Sequence, residues 1–121
     1  MDVEDLTAYC LDKPGAWLDT PFHEDHPAAK VGSGERAKIF AFLGAGGVGV
    51  KAGATREEAD EWLLRYPDDA SVMAYIGRSG WNDLRRGGAI GDAELREAID
   101  ESYRLVVSRM PRSHRPAGWE G

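Results

Sequence analysis

Three patterns in the 121-residue chain argue for an α+β domain, with antiparallel hairpins forming a sheet of about five or six strands and helices on one face. Apolar positions recur at every third or fourth residue in three separate segments. Between those segments the period shortens to two. The alternating stretches are joined by glycine-bearing connections too short for a parallel crossover, so the strands must pair antiparallel. The order is helix, three or four strands, helix, two strands, helix.

The first helix is expected over residues 3–12. Asp2 is a suitable N-cap, acidic residues occupy the first turn, Val3, Leu6 and Cys10 share one face, and Pro14-Gly15 ends the segment. Residues 37–43 alternate, with Ala37, Ile39, Ala41 and Leu43 on one face and Lys38, Phe40 and Phe42 on the other. They form a strand whose partner is residues 48–52, joined through Gly44-Ala45-Gly46-Gly47, where glycine supplies the positive φ of a hairpin turn. Residues 28–32 make a weaker earlier strand. The second helix, residues 56–66, opens on a capping box in Thr55-Arg56-Glu57-Glu58, buries Ala59, Trp62, Leu63 and Tyr66, and stops at Pro67. Residues 72–77 and 80–86 read as a second hairpin with Arg78-Ser79-Gly80 as its turn. The last helix is capped by Asp92 and buries Leu95, Ile99, Tyr103, Val106, Val107 and Met110, with Arg109 and Pro111 at its end.

The length fits one domain spanning residues 1–121, with 112–121 expected as a flexible tail, and a monomer is expected. Fifteen basic against 21 acidic side chains give a net charge of −6, which excludes uniform electrostatic affinity for nucleic acid or an anionic membrane. The charge is uneven. Residues 1–69 hold 7 basic and 14 acidic side chains, whereas residues 70–121 hold 8 and 7, all eight basic ones being arginine. One cysteine, an acidic N-terminus and the absence of a membrane-length apolar run point to the cytoplasm and to no membrane partner.

No catalytic set assembles from the sequence, so the chain is read as a non-enzyme without a cofactor. The glycine run after Leu43 lacks the Lys and Ser/Thr of a phosphate-binding loop and leads into a strand, so it is a turn. His23-Glu24-Asp25-His26 holds metal-ligand side chains but no distant partner, and reads as a solvated loop. Cys10 lies on the apolar face of its helix and reads as an inert core thiol. Residues 75–88 are richer in binding chemistry. Arg78, Arg85 and Arg86 flank Trp81 and Asn82, so a projecting hairpin would carry cationic, stacking and amide groups together, the types that contact phosphates and bases. They form a candidate nucleic-acid-binding set. A second reading, carried by the acid-rich first half, is a module that holds metal or a protein partner. A third, a small-ligand site on the sheet face, requires Lys51, Trp81 and Asn82 to converge in space.

Several features in order resemble the MmcQ/YjbR family: Tyr9-Cys10-Leu11 with Pro14-Gly15, Lys30-Val31-Gly32, the Lys38–Leu43 strand, Val50-Lys51, Tyr66-Pro67, Trp81-Asn82, and the helix Asp100-Glu101-Ser102-Tyr103-Arg104-Leu105-Val106-Val107. The similarity covers roughly residues 3 to 112. It implies a curved antiparallel sheet backed by helices, similar to the CyaY/frataxin arrangement and described in the family as a double-wing motif. Family members are commonly labelled DNA-binding, so the resemblance implies DNA as the nominal partner and adds Lys51 to Arg78, Trp81, Asn82, Arg85 and Arg86 as the candidate nucleic-acid-binding residues. By position Lys30, Lys51, Trp81 and Asn82 match recurring family residues, while the glycine-rich turn after Leu43 and the Arg78-Ser79-Gly80 approach to Trp81 depart from the usual pattern.

Overall fold

A computed structural model describes residues 1–44 and 46–121 of the chain. The first helix, α1, spans Val3–Leu11, and its start is the one the sequence dictates. The Asp2 carboxylate accepts from the Asp5 amide and the Asp5 carboxylate from the Asp2 amide, a reciprocal capping box. Strands β1 (Ala16–Asp19), β2 (Ala28–Val31), β3 (Lys38–Phe42) and β4 (Gly47–Lys51) follow, then α2 (Arg56–Arg65), β5 (Ala70–Val72), β6 (Trp81–Arg85) and α3 (Asp92–Ser108). All strand pairs are antiparallel and the spatial order is β1-β2-β3-β4-β6-β5, an open six-stranded sheet. The β3–β4 hairpin turns at Gly46, whose φ is +92°, and Ala45 of the expected turn lies outside the described residues.

β1 is an addition to the sequence reading. Its four residues are short, lie at the sheet edge and bury none of their side chains, so no alternation marks them. The caps of the later helices also differ in detail. Gly91, not Asp92, is the N-cap of α3, and Asp92 instead accepts from the amino group of Met1. In α2 the Thr55 hydroxyl accepts from the Glu58 amide as expected, but the Glu58 carboxylate turns to the Ala54 amide, leaving half of the capping box.

The core lies between the helices and the sheet face carrying Val48, Val50 and Leu84, with Leu6 and Cys10 from α1 and Leu95, Ile99, Tyr103 and Val107 from α3. Burial pushes the Cys10 thiol up to about 12, which keeps it unreactive. The largest correction concerns β3. Ala29 pairs with Ala41 while Lys30 pairs with Ile39, so Phe40 is one residue too many opposite β2. This β-bulge breaks the period of two expected across residues 37–43. Phe40 and Ala41 are both fully buried, Phe40 edge-on against the Tyr103 ring of α3, whereas Phe42 lies on the opposite face against Trp81. Below the bulge, the Phe40 carbonyl accepts from the Ser102 hydroxyl at 2.6 Å, and that hydroxyl accepts from the Lys51 amide at 2.9 Å. One buried side chain of α3 thus satisfies two backbone groups that the disrupted ladder leaves open.

Residues 112–121, expected as a flexible tail, pack back onto the domain. They include a 3-10 turn at Arg112–His114, and Trp119 lies against the core. Arg115 donates to the carbonyls of Ser108 and Met110 at 2.7 and 2.8 Å, capping the last turn of α3, and its guanidinium sits over the Trp119 ring. No helix is long and apolar enough to cross a membrane among the described residues.

Two outcomes follow from this packing. Replacing Ser102 by alanine leaves the Phe40 carbonyl and the Lys51 amide buried without a partner, and denaturant unfolding should report a loss of about 1–3 kcal/mol; an unchanged midpoint would contradict the bridging role. Burial raises Tyr9 and Tyr103 from 10.0 to about 12, helped in Tyr9 by its hydrogen bond to Asp100. In the unfolded chain both ionise near pH 10, so the stability they contribute is present below that pH and is lost as pH rises toward 12. Unfolding followed across this range by the tyrosinate absorbance should show the transition weakening there, and stability that stays flat would rule the effect out.

Candidate functional site

The Lys51 backbone is fixed from both sides. Its amide is held by Ser102, and its position on β4 is paired with Trp81 on β6. The next residue, Ala52, donates to the Gly80 carbonyl at 2.7 Å. Gly80 is obligatory at this junction: its φ is +100°, and a Cβ there would lie 2.3 Å from the Gly53 carbonyl oxygen. The exit of β4 and the entry to β6 are therefore held backbone against backbone, with Ser79, Trp81 and Lys51 side by side.

These three residues form the floor of a cleft of about 640 Å³. One wall is the end of α3, with Val106, Arg109, Met110 and Pro111, and continues into His114. The opposite wall is the loop before β3 and the start of that strand, with Glu35, Arg36, Lys38 and Ile39. The walls meet where the Arg36 guanidinium donates to His114 Nε2 at 2.8 Å, a contact that requires the neutral ring. Ile39, Val106 and Met110 supply apolar surface. Of the charged residues lining the cleft, Arg36, Lys38, Lys51 and Arg109 are cationic and Glu35 is the single acid.

Lys51 is only 4% exposed, and its Nζ donates to the Ser79 carbonyl. Among the described residues it has no carboxylate partner, whereas Lys13 and Lys30 pair with Asp100 and Asp19. Burial, and secondarily the positive charge of Arg109, hold the Lys51 ammonium below the ordinary lysine range. Two cations facing one recess with little acid near them create a positive potential that an anion would relieve.

The remaining residues of the expected nucleic-acid set do not join this cleft. Asn82 is fully buried on the opposite face of β6 from Trp81, where its amide donates to the Ala59 carbonyl at 2.8 Å and accepts from Arg56 at 2.5 Å. It ties α2 to the sheet and cannot reach a base, which corrects the expectation of an amide contact at the hairpin. Arg78 is exposed on the 3-10 turn Gly77–Ser79. Arg85 lies at the far end of β6 on a separate groove of about 700 Å³, also lined by Phe22, His26, Phe42, Gly49 and Asp68, with the Asp69 carboxylate 4.0 Å away. Arg86 is half-buried, and its Nε has no hydrogen-bond partner among the described residues.

An antiparallel β5–β6 pair is present, but not with the expected bounds: only Val72 of residues 72–77 is in a strand, and residues 73–80 form the connection. β-sheet alternation and the length of β6 spread its side chains over two faces and both ends. Four lining residues lie outside the expected set: Arg36, Lys38, Arg109 and His114. They lie apart in the chain and share no motif, so only the fold brings them together. The basic C-terminal stretch around Arg109 and His114 was the one available signal.

Among the described residues no group of three or more His, Cys, Asp or Glu side chains converges on one point. His23 and Asp25 approach each other to 3.4 Å, while Asp2 and Asp5 serve the cap of α1 and Asp100 serves Tyr9 and Lys13.

Comparison with known proteins places this architecture. The crystal structure of the Deinococcus radiodurans protein DR2400, which carries the family domain DUF419, superposes with a TM-score of 0.82 over 93% of this chain and 84% of that one, at 20% identity, and so shares the fold. YjbR, an uncharacterised protein of Escherichia coli K12, is 24% identical over 119 residues, 95% of each chain, and the protein of the same name from the O157:H7 strain matches equally. The sequence pattern of the YjbR family matches residues 11–105, from the end of α1 into the Ser102 turn of α3, and the chain therefore belongs to the YjbR family.

Proposed function

We propose that this protein is a non-enzymatic binding protein whose ligand carries nucleotide chemistry, a phosphate beside a planar ring, and that the cleft over Lys51 and Trp81 is where it binds. The observation that carries this reading is the charge of the cleft: Arg36, Lys38, Lys51 and Arg109 surround an indole and an apolar wall, against Glu35 alone. Guanidinium and ammonium groups suit phosphate oxygens, and a tryptophan face suits a base. The size of the recess falls within the ~300–1,000 Å³ typical of small-ligand sites.

The same chemistry could arrive as a free nucleotide or as one residue of a DNA strand. DNA binding through the arginine hairpin would need Arg78, Arg85 and Arg86 to act together. The packing favours the cleft instead, since Arg85 is close to Asp69 and Asn82 is engaged in the core.

Fluorescence titration at low salt with a mononucleotide, and in parallel with a short single-stranded oligonucleotide, tests the reading and separates the two sources. Arg109→Glu should weaken binding by about tenfold or more, the scale of one lost charge-assisted contact. The double change Arg85→Glu with Arg86→Glu should leave it nearly intact. A strand as the ligand is recognised by affinity that exceeds the mononucleotide's and falls steeply with salt. Binding that survives Arg109→Glu and is lost in the Arg85/Arg86 double variant would return the site to the hairpin, and no binding of either probe would remove the nucleotide reading.

A further inference from the structure

We propose that Lys51 captures its ligand covalently and reversibly, forming an imine with an aldehyde carried by an anionic, planar molecule seated in the cleft. The inference rests on the cleft reading above and adds the reactive group of the ligand. A lysine becomes a nucleophile when it is kept from water, has no carboxylate to hold its proton, and faces a recess that concentrates the electrophile. Lys51 meets each condition. It is buried, its recorded side-chain partner is the neutral Ser79 carbonyl, and it lines the same recess as Arg36, Lys38, Arg109 and Trp81. Lys13 and Lys30 are held in ion pairs by Asp100 and Asp19, and Lys38 is an ordinary exposed side chain at the cleft wall. Burial and Arg109 both favour the uncharged amine at Lys51, the form that attacks.

The chemistry balances without a further reactant. The Lys51 nitrogen lone pair bonds to the aldehyde carbon while the C=O π pair moves to oxygen, which takes up a proton to give a carbinolamine. Loss of that oxygen as water, as nitrogen forms the C=N bond, gives the imine. The two hydrogens of the water come from the amine nitrogen, and nothing is oxidised or reduced. Hydrolysis reverses each step, so the capture needs no turnover to release the ligand.

Pyridoxal 5′-phosphate is a suitable probe, because it joins a phosphate, a planar ring and an aldehyde. The full chain is incubated with limiting probe, treated with borohydride to reduce any imine to a stable secondary amine, and mapped by peptide mass spectrometry across its four lysines. Lys51 should carry about tenfold more label than Lys38. Its labelling should reach half-maximum at lower pH than that of Lys38, and a mononucleotide should suppress it. Label on Lys51 at or below the level on Lys38 overturns the inference. The alcohol analogue, pyridoxine 5′-phosphate, separates the two readings. If it competes with a mononucleotide for the cleft while the aldehyde leaves Lys51 unlabelled, covalent capture fails and the cleft stands. If neither the analogue nor a mononucleotide binds, the cleft reading fails and this inference with it.

Discussion

The Ser102 hydroxyl is the contact on which the centre of this fold depends. The bulge at Phe40 lets β3 present two consecutive side chains to the core, but it interrupts the ladder that would otherwise pair the Phe40 carbonyl and the Lys51 amide. A buried backbone group without a partner is costly, and here two would face the same helix. A hydroxyl both donates and accepts, and the serine side chain is short enough to do so from the helix surface without pushing α3 away from the sheet. The Phe40–Tyr103 ring contact then fixes the helix in the adjacent register. Bulge, helix position and orientation of Lys51 are one arrangement, set by a single residue of α3.

Much of the architecture was legible in the sequence because the relevant physics is local. α1 and α2 begin at side-chain caps and end shortly before proline, and α3 carries its apolar stripe from Leu95 to Val107. The β3–β4 hairpin could be read from its short glycine-bearing connection, whereas most of the strand expected over residues 72–77 is the loop between β5 and β6. What escaped was non-local. The alternation of residues 37–43 is a true period of two on paper, and nothing within those residues signals that Phe40 will be an extra residue opposite β2, since the signal lies in Ser102, sixty-two positions away. β1 escaped because a short strand at the sheet edge buries nothing and so carries no pattern.

The candidate site divides along the same line. Trp81 could be singled out because arginines flank it, and Lys51 because it matches a residue that recurs in the family the sequence resembles. Asn82 drew notice for the same reason, yet its neighbour relations make it a core residue: strand alternation places it on the opposite face from Trp81, and Arg56 and Ala59 consume its amide. Arg36 and His114, 78 positions apart, meet across the cleft with no sequence feature linking them. A charge count over the two halves of the chain pointed toward the arginine-rich end. It could not show that three of the four cleft cations, Arg36, Lys38 and Lys51, come from the acidic half.

The close approach of Gly80 to Gly53 also has a kinetic meaning. With the strand ends held backbone against backbone and Lys51 tied to Ser102, the floor of the cleft has few alternative conformations to lose when it is occupied, and little rearrangement stands between encounter and the seated state. In the proposed binding mode the long cationic side chains at the rim govern how often an anion arrives, while the closely packed floor governs how long it stays. For the proposed ligand, residence time is then tuned through the side chains on this floor, because the Gly80 backbone lies too close to Gly53 to accept even a Cβ.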